Sequence, residues 1–184
     1  NRKARYRGPA RVGKWPRRDA EGETVWHDYS VAFRFKLDRV SEDTTSPHGL
    51  FVVRLMSRQP KWSRYGLSHT SLPGGRELHI GFDASQGNWT VNGYVRPAAV
   101  KHRQRFKNVE KPQVPIGDLE QWHRVVLSTR GETTTVTIDD TVIFAGRSSS
   151  CTDGGFGIRF PPRVDDFCSA IWVDDVKAQR VSPE

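Results

Sequence analysis

Gln121-Trp-His-Arg-Val-Val-Leu-Ser-Thr-Arg-Gly-Glu-Thr-Thr-Thr-Val-Thr-Ile-Asp-Asp-Thr-Val-Ile-Phe-Ala145 reads as three antiparallel strands joined by two tight turns. Val125, Leu127 and Thr129 alternate with Arg124, Val126 and Ser128, the period of two that marks a half-buried strand. Arg130-Gly131 supplies a turn, because glycine takes positive φ without a steric penalty. Thr134, Val136 and Ile138 then share one face, and the intervening β-branched threonines suit a pleated surface. Asp139-Asp140 makes the second turn, since aspartate tolerates left-handed geometry and bonds its own backbone. Val142 and Phe144 are expected to close the meander.

Outward from this stretch the pattern repeats. In Ser30–Leu37, Val31, Phe33, Phe35 and Leu37 alternate with Ala32, Arg34 and Lys36. Leu50–Met56 is apolar on both parities apart from Arg54, which predicts a central strand. Residues 57–75 form a long loop holding Trp62; loops of that length are uncommon and often functional. Glu77–Asp83 and Asn88–Arg96 form a hairpin across Ala84-Ser-Gln-Gly87. Its register sets Glu77 opposite Tyr94 and His79 opposite Asn92, with His79 and Tyr94 diagonal neighbours roughly 7–8 Å apart. Trp26, Trp122 and Trp172 sit beside strand starts and are expected in the core.

With 184 residues, 16 Gly and 11 Pro, the chain suits one all-β domain with many turns. Residues 1–24 read as a basic arm or edge segment, and 25–184 as a single sandwich. The first 18 residues carry eight basic groups and no acid; the remaining 166 balance at 21 against 21. A second basic cluster runs from Arg96 through Lys101, Arg103, Arg105 and Lys107 to Lys111. Two such patches point to a polyanionic partner. No apolar run reaches the ~18 residues that a membrane-spanning helix needs. No zinc-type Cys/His spacing, phosphate-binding glycine loop or Gly-x-Ser-x-Gly elbow is present. Cys151 and Cys168 flank the Gly155–Phe160 strand. They lie too far apart to bridge if the last two strands pair as a hairpin, and can bridge if those strands sit in different sheets.

The meander, followed by Gly155-Phe-Gly-Ile-Arg and Ile171-Trp-Val-Asp-Asp-Val, resembles the concanavalin-like jelly rolls of lectins and glucanases. That resemblance implies a two-sheet antiparallel sandwich with a carbohydrate groove on one concave face. On this chain the groove would gather Arg34, Arg54, Glu77, His79, Asn92, Tyr94 and Arg96, with Trp62 as a stacking platform from the loop. Three arginines there favour a carboxylated or sulfated sugar chain. More narrowly, Gly22-Glu-Thr-Val-Trp-His-Asp-Tyr-Ser-Val-Ala-Phe and Val114-Pro-Ile-Gly-Asp-Leu-Glu-Gln-Trp-His-Arg-Val-Val resemble the jelly-roll polysaccharide lyases of the heparin lyase I and glucuronan lyase type.

Such a lyase performs β-elimination, which implies Arg54 or Asn92 as carboxylate neutraliser, with His79 as base and Tyr94 as acid, or Tyr94 as both base and acid. The strand Phe51–Met56 lacks the Gln and following His that those lyases commonly carry. A non-catalytic carbohydrate-binding module is the alternative, and a jelly roll whose basic arm binds nucleic acid is a further one. Glu77 and Asp83 do not form a glycosidase pair: six residues along one strand is about 20 Å, beyond the ~5–9.5 Å of either geometry. Asp174 and Asp175 resemble a common ending of these domains, where carboxylates are structural or help hold calcium; no residue is assigned to a metal. A monomer in an extracellular or periplasmic setting is expected.

Overall fold

The computed structural model describes residues 4–6, 11–14, 27–38, 47–57, 75–96, 102–152, 154–159, 168 and 170–181. Two antiparallel sheets pack face to face as a jelly-roll sandwich, with no helix among the described residues. The seven-stranded sheet runs β1 (Ala4–Tyr6), β13 (Ala170–Arg180), β3 (Tyr29–Asp38), β9 (His123–Arg130), β10 (Thr133–Ile138), β11 (Thr141–Arg147) and β8 (Lys107–Glu110). The six-stranded sheet runs β2 (Arg11–Lys14), β12 (Gly155–Arg159), β4 (Pro47–Ser57), β5 (Gly75–Asp83), β6 (Asn88–Arg96) and β7 (Gln104–Arg105).

Alternation delivers the core. Tyr29, Val31, Phe33, Phe35 and Leu37 of β3 face Phe51, Val53, Ile80 and Phe82 across the sandwich, and Phe51 meets Phe33 and Phe35 edge-on at 5.4 and 4.9 Å. The meander forms as expected, with Asp139 and Asp140 both at positive φ (48° and 64°) and Gly131 at 52°. Two consecutive positive φ values suit a hairpin turn because they match the right-handed strand twist. A bulge between Val136 and Thr137 shifts the β10–β11 register, so Ile143 and Phe144 are both buried and Val142 is exposed. A bulge adds one residue to one strand and so breaks the strict period. Trp122 and Trp172 are only half-buried, whereas Trp89 lies in the core.

The Trp-His pair that opens the meander has a structural role. Buried His123 places Nδ1 2.7 Å from an Asp139 carboxylate oxygen and Nε2 2.9 Å from the Asp118 carbonyl. Its ring packs against Phe35 at 5.4 Å and Trp89 at 5.7 Å. It therefore ties the 118–122 loop to the β10–β11 turn.

At the opposite ends of the sheets, the basic arm contributes backbone. β1 pairs with β13 and β2 with β12, one edge strand to each sheet. β12 and β13 lie in different sheets. Even so, no disulfide joins Cys151 to Cys168; the Cys151 sulfur accepts from the Gly75 amide and donates to the Arg96 carbonyl.

Among the inward polar residues, which include His123, Thr129 and Thr134, Arg76 is the largest. Arg76 shares its parity with Leu78, Ile80 and Phe82 and is fully buried. Its guanidinium reaches from the six-stranded sheet to the far one. It donates to Thr134 Oγ1 (2.8 Å) and to the carbonyls of Gly131 (2.8 Å) and Ser148 (2.9 Å), with longer contacts at 3.5 Å to those of Thr133 and Ser150. Burial draws its pKa down, while Cys151, Tyr29, Glu132 and Asp28 oppose the shift.

Candidate functional site

The β5–β6 hairpin has the register that its four-residue connection dictates: Glu77 opposite Tyr94 and His79 opposite Asn92. Period two then turns all four away from the core, onto the outer face of the six-stranded sheet. At the hairpin tip the Ser85 hydroxyl and amide, with the Gln86 amide, bond Asp83. These bonds, the hydroxyl's first, lower the Asp83 pKa and commit that carboxylate to the turn.

Glu77 is the centre of the face. One of its oxygens accepts from His79 Nε2 at 2.6 Å and lies 3.7 Å from the Arg103 guanidinium; the other is 3.8 Å from Arg96 Nε. These side chains cover Glu77, which is 3% exposed, while His79 and Arg103 each keep about a third of their surface open. Glu77 is thus shielded from a ligand by the side chains it holds. The His79 and Tyr94 rings stand edge to face at 5.5 Å, and Arg103 lies over Tyr94 at 5.1 Å. Asn92 accepts from Lys111 at 3.2 Å.

Chemically the cluster is specific. An ionised carboxylate only accepts, so His79 donates through Nε2, and the neutral ring keeps Nδ1 as an acceptor. A glutamate that fixes a histidine tautomer in this way is how proteins set up a general base. The phenol of Tyr94 is a proton donor beside it. Arg96 and Arg103 provide two guanidinium forks suited to carboxylate or sulfate.

Sequence reading placed Arg34 on this face, and the structure does not. β3 belongs to the seven-stranded sheet, where Arg34 bonds Asp174 at 3.0 Å and lies over Trp122 at 5.4 Å. Alternation says which side of a strand a residue takes, not which sheet the strand joins. Arg54 sits opposite Glu77 on β4, the register position beside the cluster. Trp62 falls outside the described residues. Arg103 was read only as one member of the basic cluster from Arg96 to Lys111, and that run of six cations was its signal. Asp174 and Asp175 pair with Arg34 and Lys177. Among the described residues no group of His, Cys, Asp and Glu is arranged to hold a metal ion, and no helix is long and apolar enough to cross a membrane.

No protein-family model matches the chain, and no curated protein matches it in sequence. Its fold does match solved structures. The carbohydrate-binding module CBM66 from Bacillus subtilis superposes with a TM-score of 0.55 at 11% identity, over 96% of this chain and 85% of the module. A Bacillus subtilis protein of unknown function with a galectin-like fold gives 0.53 at 12% identity, over 94% and 89%. A family 16 endo-glucanase from Bacteroides ovatus gives 0.53 at 12% identity, over 87% and 72%. The chain thus shares the two-sheet jelly-roll fold of these structures.

Proposed function

We propose that the chain is a carbohydrate-active jelly roll that binds an acidic polysaccharide across the outer face of the six-stranded sheet. Tyr94 and His79 offer the sugar its aromatic contact, and Arg96, Arg103 and, from the adjoining strand, Arg54 pair its acidic groups. One observation carries this reading. Arg96 and Arg103 converge on Glu77 beside the His79–Tyr94 ring pair, and Arg103 keeps about a third of its surface open above the buried carboxylate. The fold likeness to a carbohydrate-binding module supports the ligand class.

The Glu77–His79 bond favours a second reading, β-elimination at a uronic acid. His79 Nδ1 would take the C5 proton, and the electron pair would form the C4–C5 double bond. The bond from C4 to the glycosidic oxygen would break, with the Tyr94 hydroxyl protonating that oxygen. Arg54 or Asn92 would neutralise the carboxylate; Asn92 brings Lys111 with it.

Both readings meet one panel: heparin, alginate, glucuronan, pectate, chondroitin and a neutral glucan. Binding is expected only to the charged polymers, to weaken with salt, and to fall about tenfold in Arg103→Ala, as loss of a charge-assisted hydrogen bond predicts. Equal binding of the neutral glucan, or none of any polymer, rules out the proposal. Elimination predicts a rise in unsaturated-uronate absorbance, slowed roughly 10²–10⁴-fold by His79→Ala and by Tyr94→Phe. A panel that binds but gives no rise leaves the binding module.

A further inference from the structure

The chain leaves a cavity where it crosses from one sheet to the other. β7 closes the six-stranded edge beside β6, and β8 lies along β11 at the edge of the other sheet. Between them Phe106 turns inward and meets Phe144 edge-on at 5.5 Å. Both rings rest on Gly93 and Gly146, where an added Cβ would meet ring or side-chain carbons at 2.8 and 3.0 Å. Two glycines thus make room for the aromatic floor.

Above that floor the cavity measures about 220 Å³, with Asn92, Tyr94, Arg105 and Lys111 in its walls. Lys111 is held toward Asn92 by its hydrogen bond. Burial, and then the neighbouring Arg105 charge, lower the Lys111 pKa. No carboxylate is among the lining residues. Two cations kept close over an apolar floor repel one another, and an anion between them removes that cost. The volume holds about seven waters at ~30 Å³ each and is smaller than the ~300–1,000 Å³ of pockets for drug-sized ligands. It suits one sugar ring, not a chain.

We infer that this cavity is an end subsite for a single acidic sugar unit, its ring over Phe106 and its carboxylate or sulfate between Arg105 and Lys111. Tyr94 is a shared wall, so the subsite continues the surface described above. The choice of a sugar as ligand rests on the proposed function.

The test is a nitrogen-15 NMR titration with glucuronate, glucose 6-sulfate and glucose, followed by the polymer bound best in the panel. The charged monosaccharides are expected to move the amides of Asn92, Phe106 and Lys111, and the stronger of the two identifies the anion; glucose should leave them still. Lys111→Met should weaken the charged sugars about tenfold or more without lowering the melting temperature, because the side chain is at the surface. Still amides with both charged sugars, or unchanged affinity in Lys111→Met, overturn the inference. Polymer that moves His79 and Tyr94 but not Phe106 overturns the subsite and leaves the surface reading intact. Monosaccharide shifts at Phe106, with no polymer bound anywhere, keep the cavity and overturn the surface.

Discussion

Replacing Arg76 with Met is expected to lower folding stability by about 3–5 kcal/mol, the range for breaking a buried charged network. For a chain of this size that is roughly 6–20 °C in melting temperature. Buried ion pairs can sometimes be exchanged for apolar side chains at little cost, because both partners leave together. Here the partners stay. The carbonyls of Gly131 and Ser148 and the Thr134 hydroxyl belong to the seven-stranded sheet and its turns, and they take the three short bonds from Arg76. Methionine fills the volume and leaves those acceptors without their donor, each costing about 1–3 kcal/mol when no water replaces it. Lysine should recover only part of the loss, since a point charge cannot fork to acceptors at several angles. Urea and thermal unfolding of the three proteins measure this directly. A Met variant within 1 kcal/mol of the parent would show that packing alone joins the two sheets at that end.

Glu77→Gln should separate stability from binding. The substitution keeps the shape but removes the anion that His79, Arg96 and Arg103 surround. A charged hydrogen bond contributes about 1.5–3 kcal/mol, and the partly exposed partners reduce what the arginines add. Stability is therefore expected to fall by about 1–3 kcal/mol. Polyanion affinity should move the other way: a unit charge ~8 Å from a ligand group is worth about 0.5–2 kcal/mol at an effective dielectric between 20 and 80. Removing it should tighten binding several-fold. Any elimination activity should be lost, because the amide no longer fixes which ring nitrogen of His79 carries the proton. Binding that weakens in step with stability would contradict this, and would mean that Glu77 holds the arginines in the geometry the ligand requires.

Whereas β7 and β8 lie within what the sequence presents only as a basic cluster, the longer strands, most of their inward faces and the β5–β6 register could be read along the chain. Each depends on local chemistry: alternation at period two, aspartates that tolerate positive φ at 139–140, a four-residue hairpin connection. That is why the face pairing Glu77 with Tyr94 and His79 with Asn92 was legible. Arg76 lies just before the strand as the sequence presents it, Glu77–Asp83, and neither its burial nor its acceptors were read there. The acceptors come from Gly131, Thr134 and Ser148, more than fifty residues away, through a sheet-to-sheet contact that no local pattern encodes. The same holds for Arg34, whose parity was correct and whose sheet was not. It holds for Ile143 and Val142, exchanged by one bulge, and for the cavity made where Phe106 meets Gly93 and Phe144. By itself the sequence determined which side of a regular, unbulged strand faces inward, because side-chain direction there is a property of consecutive residues. Only the tertiary structure decided which strands share a sheet, and so which outward residues meet as a site, because strand pairing joins segments whose separation along the chain leaves no local trace.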